Sequence, residues 1–181
     1  MISPAQGILL IANPFLKDPN FIRSVIFLCE HQDEGTFGFV LNKKFSKTLD
    51  ELVPDMEEYK IPVYYGGPVQ LDTIHFLHQY ADLGGEEVLP GVYWGGNFET
   101  LLPMIKADEI DFNKLRFFIG YSGWSTGQLD NEMSEKSWLT VEATRKLVFH
   151  LKADEIWKDS LRHLGGEYEM MINFPIDPQL N

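Results

Sequence analysis

A single cysteine, Cys29, occurs in the 181 residues, so no internal disulfide can form and no thiolate zinc site can be built from cysteine alone. Positive charge is scarce as well. Fifteen Lys and Arg stand against 27 Asp and Glu, a formal net charge of −12 at pH 7, which excludes a generally basic nucleic-acid binder and disfavours an anionic membrane surface. Long apolar runs are missing too. The longest uncharged stretch, Met1 to Leu16, is broken by Pro4, Gln6, Asn13 and Pro14, whereas a spanning helix needs about 20 mostly apolar residues. No basic segment or small-residue cleavage pattern precedes Gly7-Ile8-Leu9-Leu10-Ile11, so that run reads as a buried strand. With a lone thiol and no recognisable signal, the expected compartment is the cytoplasm.

What is present is a large apolar fraction. At 44% hydrophobic content and about 150 residues per domain, residues 1–181 are expected to form one domain with an ample core. Strand-like segments outnumber helical ones. They cover residues 7–12, Ile22 to Glu30, Phe37 to Leu41, Ile61 to Tyr65, Thr73 to Gln79, Leu115 to Tyr121 and Ser137 to Glu142. Residues 13–20 read as a loop through Asn13-Pro14 and Asp18-Pro19-Asn20, and His31 to Thr36 as the longer loop of a hairpin. Val63-Tyr64-Tyr65-Gly66-Gly67 is echoed by Val92-Tyr93-Trp94-Gly95-Gly96, two similar strand-to-turn units.

Thr48-Leu49-Asp50-Glu51 has capping-box spacing and starts a short helix that stops near Pro54. Asn97 caps a helix through Lys106, with Pro103 an awkward interior residue. A polar helix follows from Gly127 to Lys136. The helix from Asp154 carries Trp157, Leu161 and Leu164 on one face and ends at Gly165. The residues Pro175 to Gln179 read as a loosely held tail. Without regular βαβ alternation, the expected architecture is α+β: a mixed, largely antiparallel sheet with flanking helices.

Motifs for chemistry are sparse. Gly123-Trp124-Ser125-Thr126-Gly127 matches the G-x-S-x-G nucleophile pattern and makes Ser125 a candidate nucleophile, with His150 or His163 downstream. The simpler reading is that Ser125 or Thr126 caps the following helix while the glycines permit a tight turn. Cys29 with His31, and His75 with His78, lack the further ligands of a metal site. The Gly-Gly pairs match neither G-x-G-x-x-G nor the Walker pattern, and nothing calls for a cofactor. Lys43, Lys44 and Lys47 around Phe45 read as a solvated edge, and Glu57-Glu58 and Glu86-Glu87 as solubilising charges.

Several segments, in order, resemble the YqgE/AlgH family. They are Asn13-Pro14 with Asp18-Pro19-Asn20-Phe21-Ile22-Arg23-Ser24-Val25; His31 with Gly35 to Asn42; Gly66-Gly67-Pro68-Val69; and Gly120 to Trp124 with Gly127-Gln128-Leu129. The resemblance runs across residues 7–166. It implies a single compact α+β domain, cytoplasmic and bacterial, with no established biochemical activity. The family's regulatory label derives from control of alginate production rather than from a demonstrated DNA-binding surface. Relatives often carry a small non-nucleophilic residue at the position of Ser125, which weakens the hydrolase reading.

Read with the motif residues, the sequence suggests a ligand-binding group of Arg23, His31, Asn42, Gly67, Tyr121, Trp124 and Gln128. Arg23 would lie in an otherwise apolar strand, where its charge must face solvent, meet a carboxylate or serve a ligand. Trp124 is either a core anchor or a pocket wall. The expected function is therefore a non-enzymatic binding or regulatory protein for a small anion or a protein partner, with no membrane or direct nucleic-acid partner. A serine hydrolase using Ser125 and a direct transcriptional regulator are the alternatives.

Overall fold

The computed structural model describes residues 1–176 as an α+β fold in which one curled sheet carries helices on both faces. The strands are β1 (Ile8–Ala12), β2 (Val25–Gln32), β3 (Gly35–Val40), β4 (Lys44–Thr48), β5 (Pro62–Tyr65), β6 (Val69–His78), β7 (Glu86–Leu89), β8 (Val92–Trp94), β9 (Leu115–Ser125) and β10 (Trp138–Glu142). The helices are α1 (Leu49–Leu52), α2 (Phe98–Lys106), α3 (Gln128–Ser134), α4 (Arg145–Val148), α5 (Ile156–Leu164) and α6 (Glu167–Met170). The sheet runs in the order β10-β1-β2-β3-β9-β6-β8-β7. β5 joins β9 in parallel and β4 hangs on β5; every other pairing is antiparallel.

Alternate strand residues point to opposite faces, so a strand covered on both faces is apolar throughout. β1 is such a strand. Leu9 and Ile11 join Phe27, Phe39 and Phe118 beneath Ile156, Trp157 and Leu161 of α5. Leu10 and Ala12 join Ile26, Leu28 and Val40 on the other face, under Trp124, Trp138 and Leu129 of α3. A third cluster packs Phe76, Phe117 and Ile119 against Leu49 of α1 and Leu101 and Ile105 of α2. Each fully buried phenylalanine contributes roughly 1.5–3 kcal/mol by leaving water.

Local chemistry sets the ends of the elements. The Thr48 amide donates to the Glu51 carboxylate at 2.9 Å, one arm of the expected capping box. Asn97 Oδ1 accepts from the Thr100 amide at 3.0 Å, and α2 continues through Pro103. Gly165, at φ +73°, closes α5 by donating to the Leu161 carbonyl at 3.0 Å.

β9 is the long central strand. Its first half pairs with β5 on one edge and β6 on the other, and its second half, Ser122 to Ser125, moves onto β3. The bend lies at Gly120, at φ +69°, where a Cβ would sit 2.4 Å from the Gly67 carbonyl oxygen. Only glycine permits both that conformation and that approach.

The structure corrects several expectations. Arg23 lies in a turn before β2, at φ +51°, not within the strand. The β2–β3 connection is two residues, Asp33-Glu34, rather than a longer loop. β9 runs on past Tyr121 to Ser125, inside the G-x-S-x-G motif, and the turn Thr126-Gly127 leads from it into α3. β4 and β7 were not expected as strands. Each pairs on one edge only and carries polar, exposed residues, which erases the apolar alternation that marks a strand. α4 and α6, four residues each, are too short to leave a helical period. Most of the expected tail, residues 177–179, lies outside the described residues.

Trp124 is 5% exposed. Its ring stacks near Phe21 at 6.4 Å and meets Trp138 edge-on at 6.2 Å. Its indole N–H donates to Glu132, whose same carboxylate oxygen accepts from the Trp138 indole at 3.1 Å. Trp124 is thus a core anchor. Trp124→Ala is expected to lower the urea midpoint by the equivalent of about 3–5 kcal/mol; a loss below about 1 kcal/mol would remove this role.

Candidate functional site

The residues singled out from the sequence separate into structural fasteners and cavity walls. Arg23 donates to the Phe174 carbonyl and lies over the Trp157 ring, 4.6 Å from its centroid, so it ties the C-terminal segment to the end of the sheet. Burial lowers its pKa, and it meets no carboxylate among the described residues. Asn42 works beside it. Its Oδ1 accepts from the Val25 amide at 3.0 Å and its Nδ2 donates to the Arg23 carbonyl at 2.9 Å, which holds the strained turn in place. Gly67 sits where a Cβ would meet the Tyr121 backbone at 2.2 Å, so its role is close approach to β9.

Ser125 ends β9 and is exposed. Gln128 Oε1 accepts from the Ser125 amide at 3.1 Å and from its hydroxyl at 3.4 Å. The glutamine thus closes the β9–α3 turn, and neither Ser125 nor Thr126 caps α3; the N-cap is Gly127, at φ +76°. His31 and Ser125 both line a cavity of about 300 Å³, but His31 Nδ1 is engaged by the Thr36 hydroxyl at 2.6 Å. Among the described residues no histidine is hydrogen-bonded to Ser125, so a nucleophile–base pair is not assembled.

Tyr121 and Trp124 line something different. An open cavity of about 580 Å³ lies among β3, β6, β8 and β9, walled by Phe37, His75, Trp94 and Tyr121, with Glu30, Gln32, Glu34 and Thr36 along one side. The sheet makes room for it. β6 pairs Val69 with Tyr121 and then shifts register to pair Ile74 with Ile119, while β9 swings away to β3. A bulge in β2 between Leu28 and Glu30 lies at the same end.

Four rings of this wall form a closed cycle. Phe37 touches Trp94 at 4.7 Å and Tyr121 at 5.9 Å, both edge-on, and His75 touches Tyr121 at 6.1 Å and Trp94 at 6.4 Å. Two polar atoms in the cycle, His75 Nε2 and Trp94 Nε1, are buried without a hydrogen-bond partner among the described residues. An unpaired buried polar atom costs about 1–3 kcal/mol, so two in one wall are notable. Burial pushes the His75 pKa down, which favours the neutral ring. His78, next along β6, is by contrast satisfied. Its Nδ1 accepts from the Tyr80 amide at 3.1 Å, which leaves Nε2–H to donate to the Gly95 carbonyl at 2.7 Å.

Sequence reasoning passed over Phe37, His75 and Trp94 as site residues. His75 was weighed only as a metal ligand, and Trp94 only as part of the strand echo. Among the described residues no three His, Cys, Asp or Glu side chains converge on a metal position. Cys29 is buried in the core, and burial raises its pKa. No helix among the described residues is long and apolar enough to cross a membrane.

The comparisons with known proteins agree on the family. An AlgH-like (DUF179) family model matches residues 9–169. A UPF0301 protein of Chlorobium luteolum is 43% identical over 98% of this chain and 95% of its own length, and one of Chlorobaculum tepidum is 44% identical over 97% and 95%. Among solved structures, a Corynebacterium diphtheriae protein shares the fold at a TM-score of 0.79 and 23% identity, covering 96% of this chain and 94% of that one. The solution structure of the AlgH protein from Pseudomonas aeruginosa matches at a TM-score of 0.72 and 29% identity, covering 96% of each chain. The chain belongs to the AlgH-like family.

Proposed function

We propose that this protein is a non-enzymatic binding protein of the cytoplasm whose occupant is a small molecule held in the aromatic cleft between β3, β6, β8 and β9. The observation that carries the reading is the cycle of Phe37, Trp94, Tyr121 and His75 in the cavity wall, with two buried nitrogens that lack partners. A mostly apolar wall with a few polar groups is the usual make-up of a small-molecule site. The expectation of an anion drew on Arg23, which is occupied by Phe174 and Trp157 away from this cleft, and Glu30 and Glu34 would repel an anion there. A net charge of −12 argues against direct DNA binding.

Gly123 offers a way to close the cleft without breaking the fold. It is exposed and lines the cavity, and a Cβ there would meet only the Tyr121 ring at 3.4 Å and the Thr36 carbonyl at 3.9 Å. In a protein-observed NMR screen of a diverse fragment set, hits are expected to shift the Trp94 indole resonance and to be lost in Gly123→Leu. Hits that survive the plugged cleft, or that leave Trp94 unmoved, would count against the reading.

The same reading makes Ser125 chemically ordinary. A fluorophosphonate serine probe is expected to leave the folded protein unlabelled, and labelling abolished by Ser125→Ala would restore the hydrolase alternative.

The histidines give a pH signature. His75 and His78 both have pKa values pushed below the ordinary 6.5, chiefly by burial. As pH falls through about 6.5 the unfolded chain takes up these protons first, so the folded state binds fewer and loses stability down to its own depressed values. The urea midpoint is expected to fall over that window and to fall less in His75→Gln. Identical pH profiles for the two proteins would contradict a buried, neutral His75.

A further inference from the structure

The cleft does not end at its aromatic wall. A second cavity of about 220 Å³ adjoins it, lined by Gln6, Cys29 and Glu86 together with Glu30, Gln32 and Trp94, and these last three also line the first. Trp94 is therefore a shared wall, with an aromatic chamber on one side and a polar chamber on the other. Charge is one-sided in both. Glu30 and Glu34 line the larger chamber, Glu30 and Glu86 the smaller, and neither lining contains a lysine or arginine. Among the described residues none of these three carboxylates is in an ion pair; the two bridges present join Asp159 to His150 and to Arg162.

β-sheet pairing holds the acids in place. Glu86 is directly opposite Trp94 across the β7–β8 ladder, and Glu30 follows the β2 bulge opposite Phe37. Two of the cleft's rings thus each face a carboxylate-bearing position across the sheet. His75 adds no compensating positive charge, since burial favours its neutral form.

Resting on the binding role proposed above, we infer that the ligand is a small organic cation, a planar apolar body bearing an amidinium, guanidinium or ammonium group. The body lies against the rings of Phe37, Trp94 and Tyr121, and the charged head reaches Glu30 and Glu86 beside Trp94. Each part of this ligand meets what it needs. A cation over an indole face gains about 0.5–2 kcal/mol, and charge-assisted hydrogen bonds to carboxylates are roughly twice as strong as neutral ones. Gln6 and Gln32 supply further acceptors at the polar end. An anion finds no donor of positive charge in either chamber.

Three probes of nearly one shape separate charge from shape: benzamidine, benzamide and benzoate. Each is titrated into the full-length protein while the Trp94 indole resonance is followed and Kd is measured. Benzamidine is expected to bind at least about tenfold more tightly than benzamide, with benzoate the weakest. Glu30→Gln and Glu86→Gln are each expected to weaken benzamidine about fivefold or more and benzamide by clearly less, with retained benzamide binding reporting that the cleft is still folded. Benzamide binding at Trp94 as tightly as benzamidine would overturn the cation inference and leave the cleft as a binding site. Failure of all three probes to perturb Trp94 would overturn both.

Discussion

The fold depends on one strand holding two sets of neighbours. β9 must pair on both edges for most of its length, yet its partner on one side changes from β5 to β3 halfway along. A straight strand cannot serve both. The left-handed backbone at Gly120 makes the turn, and the Gly66-Gly67 segment packs against it with no room for a Cβ on either side. β6 pairs with β9 on both sides of this bend, at Ile119 and Tyr121, and shifts register between Val69 and Ile74; the aromatic cleft lies beside that break. The glycines and the cleft are consequences of the same change of partner.

Two arginines illustrate how the molecule tolerates buried charge. Arg23 donates to the Phe174 carbonyl over the face of Trp157. Arg116, near the start of β9, donates to the carbonyls of Val148 and His150 and lies 5.4 Å from the centroid of the Tyr64 ring. Among the described residues neither guanidinium meets a carboxylate. Backbone carbonyls and ring faces offer partial negative charge without the desolvation cost of a second buried ion. Both arginines fasten peripheral segments, α4 and the region after α6, to the sheet. Acidic side chains are left over at the surface and around the cleft, where the strong negative net charge of the chain becomes local.

The cleft combines two chemistries that a core does not need together. A ring cluster in a core would bury its nitrogens against acceptors, as Trp157 does with the Ala12 carbonyl at 2.9 Å and as Trp124 and Trp138 do with Glu132. Trp94 and His75 have no such partner, although rings surround them. Unpaired nitrogens beside uncompensated carboxylates separate this wall from the three packed clusters elsewhere in the sheet.

Much of the architecture follows from the sequence alone. The continuous apolar run of β1, the Asn97 cap, the Gly165 stop and the amphipathic face of Trp157 and Leu161 are local patterns, and local patterns persist in the fold because each reflects contacts with near neighbours or a single buried face. Family membership was legible for the same reason, through short turn motifs in fixed order. The roles of the motif residues were not. Arg23 resembled a functional charge because its apolar surroundings were visible in sequence, while the Phe174 carbonyl and the Trp157 ring that hold it lie 151 and 134 residues away in the chain. Ser125 resembled an elbow nucleophile because nothing local says that its hydroxyl is held by Gln128 and that, among the described residues, no histidine is hydrogen-bonded to it. Phe37, His75, Trp94 and Tyr121 come from four strands and become one wall only when β9 bends and β6 shifts register. The sequence by itself determined the longer strands and helices, but not the edge strands β4 and β7 or the four-residue helices α4 and α6. Only the tertiary structure decided which side chains are fasteners and which face a common cavity, because that depends on strand order and register, which couple residues far apart in the chain.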